Sequence, residues 1–135
     1  MGYNEQAIRK GVTAEFLAKV YFTIDGWVIL IPDSHETSYD FVIEKNGEFR
    51  RVQVKTASVY GDLIRVRNKH GQNRTYDQNA YDILVGVWVE RKRLYLFHSE
   101  DVNSGQHSES ISVGRVDGKT MHNRPRPKPY TIINM

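Results

Sequence analysis

Tyr39-Asp40-Phe41-Val42-Ile43-Glu44-Lys45-Asn46-Gly47-Glu48-Phe49-Arg50-Arg51-Val52-Gln53-Val54-Lys55-Thr56 reads as two strand-like runs joined by Asn-Gly. That dipeptide is a strong hairpin signal, because both of its residues tolerate the positive φ that a two-residue turn requires. With the turn at Asn46-Gly47, Lys45 pairs with Glu48 and the numbers of every opposed pair sum to 93. Phe41, Ile43, Val52 and Val54 then share one face, giving the hairpin an apolar side to bury. On this register Asp40 lies opposite Gln53, and Lys55 follows two residues along Gln53's face.

A sheet face that gathers Asp, Gln and Lys has to offset the desolvation of its charges, and binding something is one way to do so. The Asp40 carboxylate, the Gln53 amide oxygen and the Val54 backbone carbonyl between them are hard donors of the kind magnesium or manganese takes. Lys55 is placed to activate a water and to neutralise charge developing on a phosphate. The same spacing also fits a surface hairpin in which Asp40 and Lys55 are an ordinary solvated ion pair. Spacing alone leaves both readings open.

Upstream, Ile8, Gly11, Val12, Glu15, Ala18 and Phe22 recur at three- and four-residue steps, which predicts a helix over residues 4–24 with Glu15 inside its largely apolar stripe. Asp25-Gly26 ends it, and Trp27–Ile31 has the length of a short strand. Downstream, Leu63–Arg67 reads as a strand, a polar loop runs from Asn68 to Gln78, and a short helical turn is placed near Asp77–Tyr81. Ile83–Val89 and Leu94–His98 flank a second hairpin, and Ile111–Val113 forms a weak strand. The order predicts an α/β (α+β) domain on a mixed sheet.

At 135 residues the chain suits one domain. It divides into a domain over residues 1–114 and a basic, Pro-rich tail over 115–135, whose Arg124-Pro125-Arg126-Pro127-Lys128-Pro129 favours an extended arm. The net charge is +3, yet the tail holds five basic groups against Asp117, so residues 1–114 carry −1. A second basic stretch, Arg65, Arg67, Lys69 and Arg74, contains no acid. Two basic segments on a near-neutral body suit a polyanion, with these seven residues (the stretch plus Arg124, Arg126 and Lys128) as its candidate contacts, and they equally suit basic loops and tails that only keep a protein soluble. Tyr60, Tyr76, Tyr81 and Trp88 offer rings for base stacking, though aromatic residues in strands are more often core.

The absence of cysteine excludes disulfides and thiol chemistry, and the five histidines show no zinc-ligand spacing. There is no phosphate-cradling glycine loop and no nucleophile elbow. No apolar run is long enough for a membrane span and the N-terminus lacks a signal core, so a cytoplasmic address without membrane association is expected.

Ser38–Ile43 and Arg51–Thr56 together resemble the PD-(D/E)xK nuclease superfamily, whose signature is a strand aspartate followed by an acid-x-lysine, and Glu15 resembles the glutamate on that fold's first helix. The gap from Asp40 to Gln53, the glutamine in the acid position and the Thr after the lysine are similar to the cyanobacterial group I intron-encoded homing endonucleases. The likeness spans roughly residues 7–102. It implies a restriction-endonuclease-like core, a catalytic set of Glu15, Asp40, Gln53 and Lys55, and magnesium (or manganese) held by Asp40, Val54 and Glu15. It further implies hydrolysis of phosphodiester bonds in double-stranded DNA by a homodimer or homotetramer. A four-way (Holliday) junction resolvase acting on branched DNA and an inactive DNA-binding module are the alternatives. Gln53 departs from the family's usual acid, and the helix expected after the third strand is short or displaced in this sequence.

Overall fold

The computed structural model describes residues 4–67, 69–70, 74–75, 80–103, 110–117 and 130–135. Along them run α1 (Glu5–Ile24), β1 (Val28–Leu30), β2 (Phe41–Lys45), β3 (Glu48–Thr56), β4 (Ser58–Tyr60), β5 (Leu63–Arg67), β6 (Lys69–His70) and β7 (Arg74–Thr75). There follow β8 (Ile83–Trp88), a 3-10 turn at Val89–Arg91, β9 (Arg93–His98), α2 (Ser99–Asn103), β10 (Ser110–Arg115) and β11 (Tyr130–Asn134).

Local chemistry sets the ends of these elements. Asn4 caps α1 by accepting the Ala7 amide at 3.2 Å, a donor the helix leaves unpaired. Gly26 stops α1 at φ +96°, which favours glycine, and the Trp27 amide closes back on the Phe22 carbonyl at 2.9 Å. Asn46 and Gly47 take φ +52° and +80°, and the hairpin runs from Phe41↔Val52 to Lys45↔Glu48, the register that the alternation predicts.

Six strands form the main sheet in the order β1-β2-β3-β8-β9-β11, all neighbours antiparallel except β3 and β8. The mixed α+β sheet expected from the sequence is therefore present. Alternation along each strand gives the sheet two apolar faces. On one, Ala14, Ala18 and Phe22 of α1 pack on Phe41, Ile43, Val52, Val54, Val85 and Val87. On the other, Leu84, Trp88, Tyr95 and Phe97 meet Ile64 and Val66 of β5 and Ile111 and Val113 of β10. These last two strands belong to a three-stranded sheet, β10-β5-β4, that forms the third layer. It lies so close that a Cβ on Gly86 would collide with the Val66 side chain.

The connection from β3 to its parallel neighbour β8 is thus built of strands, and no helix occurs in it among the described residues. The helical turn placed near Asp77–Tyr81 falls mostly outside the described residues; Tyr81 itself is fully buried core and in no helix. β4, α2 and β11 are additions to the sequence reading, as are β6 and β7, which pair as a short ribbon inside the stretch read as a loop from Asn68 to Gln78. β11 changes the picture of the tail, because Tyr130–Asn134 returns to pair along β9 at the edge of the main sheet, while Arg115 ends β10. The Pro-basic run of residues 124–129 is outside the described residues. No described helix is long and apolar enough to cross a membrane.

Candidate active site

The ladder between β2 and β3 stops one residue short of Asp40, and the way it stops builds the site. Asp40 still donates its amide to the Val52 carbonyl at 2.8 Å. Beyond it the chain turns away, fixed by the Thr37 hydroxyl on the Tyr39 carbonyl (2.8 Å) and the Ser38 hydroxyl on the Ala80 carbonyl (3.0 Å). The Val54 amide therefore has no strand carbonyl facing it, and it donates to Asp40 Oδ2 at 2.7 Å instead. One side chain thereby ends the ladder and anchors a carboxylate over β3.

That carboxylate is half-buried and its pKa is raised. Burial is the main cause and the Val54 amide opposes it; Glu15 raises it further, while Lys55 and Lys19 pull it down. Asp40, Glu15, Lys55 and Lys19 thus share one electrostatic neighbourhood where α1 packs across β3. Glu15 reaches it from the helix, held by an ion pair to Lys19 at 2.9 Å. Lys19 also lies 5.7 Å from the Phe41 ring centroid. Lys19 is an addition to the residues singled out from the sequence; the Glu-to-Lys spacing of four residues on a helix is the signal that could have found it.

Gln53 is the one polar side chain among the described residues that is buried, at 7% exposure, and its Nε2 donates to the Val54 carbonyl at 3.2 Å. A neutral amide tolerates this position better than a carboxylate, which would add a third negative charge beside Asp40 and Glu15. Lys55 is half-buried with a lowered pKa: burial is the largest cause, Asp40 opposes it and Arg67 adds to it. The structure therefore brings Glu15, Asp40, Gln53, the Val54 carbonyl and Lys55 to one place.

Of the candidate DNA contacts, Arg67 is exposed and near enough to Lys55 to depress its pKa. Arg65 stacks its guanidinium 4.6 Å from the centroid of Tyr60, an exposed ring. Lys69 and Arg74 belong to the β6–β7 ribbon, and Arg124, Arg126 and Lys128 lie outside the described residues. Trp88, like Tyr81, is core and offers no stacking surface; Tyr76 is outside the described residues. A second pairing unseen in the sequence braces the sheet beside the site. Asp82 accepts the Arg51 amide at 2.7 Å and the Arg51 guanidinium at 3.1 Å.

The sequence matches the PD-(D/E)XK endonuclease family over residues 6–128. The chain belongs to that family. It is similar to Protein 5.3 of Escherichia phage T7, 33% identical over an aligned length of 81 that covers 57% of this chain and 69% of that protein. Its fold is similar to that of the bacterial homing endonuclease I-Ssp6803I, with a TM-score of 0.71 and 25% identity, covering 87% of this chain and 82% of that one. The chain is accordingly a nuclease with a restriction-endonuclease-like α+β fold.

PD-(D/E)XK nucleases generally use divalent metal ions. Among the described residues no three His, Asp or Glu side chains cluster to hold one. The candidate donors, two carboxylates, a backbone carbonyl and an amide, all offer oxygen, which would fit a hard cation that keeps part of its water. The Asp40 pKa is raised chiefly by burial, with the Glu15 charge adding to it, so a cation bound beside both carboxyls would favour their ionised forms.

Proposed function

We propose that the protein is a metal-dependent endonuclease that hydrolyses phosphodiester bonds in double-stranded DNA, in the manner of a homing endonuclease, with Glu15, Asp40, Gln53 and Lys55 as its catalytic residues. The observation that carries this reading is the convergence of a half-buried Asp40, a Glu15 that raises its pKa, and a half-buried Lys55. Asp40, Glu15 and the Val54 carbonyl would hold magnesium or manganese, with the Gln53 amide beside them. Such an ion would supply the charge that polarises the scissile phosphate.

The chain's own residues supply the rest. Lys55, its ammonium destabilised by burial, is suited to take a proton from the attacking water or to stabilise charge on the phosphate. The Val54 amide fixes the Asp40 carboxylate, so that this ligand is oriented before anything binds. Arg65, Arg67, Lys69, Arg74, Arg124, Arg126 and Lys128 would bind the DNA backbone by charge and release counterions from it. One site cuts one strand, so a double-strand cut calls for a homodimer or homotetramer.

The test is cleavage of a linear duplex and of a four-way junction by the full chain, with magnesium and with a chelator. Magnesium-dependent cutting of the duplex is expected. Cutting confined to the junction would make the protein a resolvase, and DNA binding without any cutting would make it a binding module; either result overturns the reading.

A further inference from the structure

Helix α1 buries Ala14, Ala18 and Phe22 against the sheet, yet its other side is also apolar. Ile8, Val12, Phe16, Val20 and Ile24 follow one another at four-residue steps, and all five are exposed, from 46% at Val20 to 78% at Ile24. Folding of the single chain does not require this ridge. An apolar stripe of this length in water usually marks a contact surface.

The order of residues in the ridge indicates what covers it. Ile-Val-Phe-Val-Ile reads the same in both directions about Phe16. When two copies of α1 are laid antiparallel across a two-fold axis at Phe16, residues whose numbers sum to 32 face each other. Ile8 then meets Ile24, Val12 meets Val20, and Phe16 meets its own copy. The neighbours fit as well: Arg9 opposes Thr23 and Lys19 opposes Thr13, so no opposed pair joins like charges. A parallel arrangement would set each residue against its own copy, Arg9 against Arg9 among them. Ridges of four-residue steps pack into each other at about 50°, which concentrates contact on Val12, Phe16 and Val20.

We propose that the outer ridge of α1 is a homodimer interface in which two copies pack antiparallel about Phe16. A nucleic acid is a poor occupant for a ridge of five apolar side chains, and an unrelated protein gives no reason for the palindrome. The dimer supplies the second site that a double-strand cut needs, and in that respect it deepens the proposed function. The palindrome is independent of that function.

Sedimentation equilibrium of the full chain in metal-free buffer tests the proposal, because mass is read without reference to cleavage. The wild type is expected to show a dimer that dissociates on dilution. Phe16→Glu, Val12→Glu and Val20→Lys, all at positions exposed in the single chain, should each leave the circular dichroism spectrum and melting temperature of the monomer unchanged. Each should raise the dimer Kd roughly 30-fold or more. Combining Val12→Glu with Val20→Lys in one chain places opposite charges face to face twice in the antiparallel register, so the double variant should associate more tightly than either single one. A wild type that is monomeric throughout, an association indifferent to Phe16→Glu, or a double variant no tighter than the singles would overturn it. A dimer without nuclease activity would sustain this inference while refuting the proposed function.

Discussion

Asp40→Asn is expected to stabilise the metal-free protein while abolishing cleavage. Burial and the nearby Glu15 raise the Asp40 pKa by more than the Val54 amide, Lys55 and Lys19 lower it. A carboxyl whose folded pKa lies above its unfolded value destabilises the fold once ionised. The cost is absent below the ordinary value of 3.8 and fully present above the raised folded value. The side-chain amide of the variant would keep an oxygen for the Val54 amide, now held at 2.7 Å, and lose only the extra strength of a charged acceptor. The net gain at neutral pH is on the order of 1 kcal/mol, the scale on which single side-chain changes usually act, or several degrees in melting temperature. Urea or thermal melts of both proteins in chelator across the acid range measure it. The advantage of the variant should shrink as the pH falls towards the ordinary carboxyl value. With magnesium at a hundred times its Kd the wild type should gain about 2.7 kcal/mol that the variant lacks, reversing their order. A variant less stable than wild type in chelator at neutral pH, or a difference that does not change with pH, would refute the reasoning.

Three further outcomes follow from the structure. Lys55→Ala should lower the cleavage rate by about 10²–10⁴-fold with the melting temperature nearly unchanged, as single-turnover assays would register. Asp82 is held below its usual pKa: burial pushes it up, but the hydrogen bonds and charge of Arg51 outweigh burial. Its contribution is therefore present above 3.8 and lost as the pH falls through the lowered folded value. Asp82→Ala should cost about 1 kcal/mol at neutral pH, discounted for the exposure of the pair, and almost nothing in strong acid; an equal loss at both would count against the Arg51 contact. Gly86→Ala should destabilise by about 1–3 kcal/mol in urea unfolding, because the fully buried Val66 side chain has no free direction in which to yield.

The hairpin is legible in the sequence because everything that specifies it is local. Asn46-Gly47 fixes the turn, alternation fixes the faces, and the pairing Phe41↔Val52 follows from counting. Glu15 is legible from helical periodicity; the pairing expected between Asp40 and Gln53 is not part of the ladder, because the chain turns away there and the Asp40 carboxylate takes the Val54 amide instead. What escapes is determined by distant partners. β4 is exposed at all three residues, so it carries no alternating pattern, and it exists because β5 pairs with it. β5 finds its other neighbour in β10, where Val66 faces Ile111. That pairing is why strands rather than a helix cover the sheet face around Gly86. β11 follows a run of prolines and basic residues that reads as an arm, and only the open edge of β9 makes a strand of it. The Glu15–Lys19 spacing is visible on the helix, but that Lys19 acts on Asp40 and that Asp82 meets Arg51 are hidden, since each depends on what folding brings beside β2 and β3.

The most direct measurement of the central claim is a paired one on Asp40→Ala: DNA affinity in chelator and cleavage in magnesium, on the same folded protein. If Asp40 holds the catalytic ion, cleavage is lost. Affinity in chelator stays equal or rises somewhat, because one negative charge near the approaching phosphate has been removed. Cleavage by the variant at near wild-type rate would contradict the site described here.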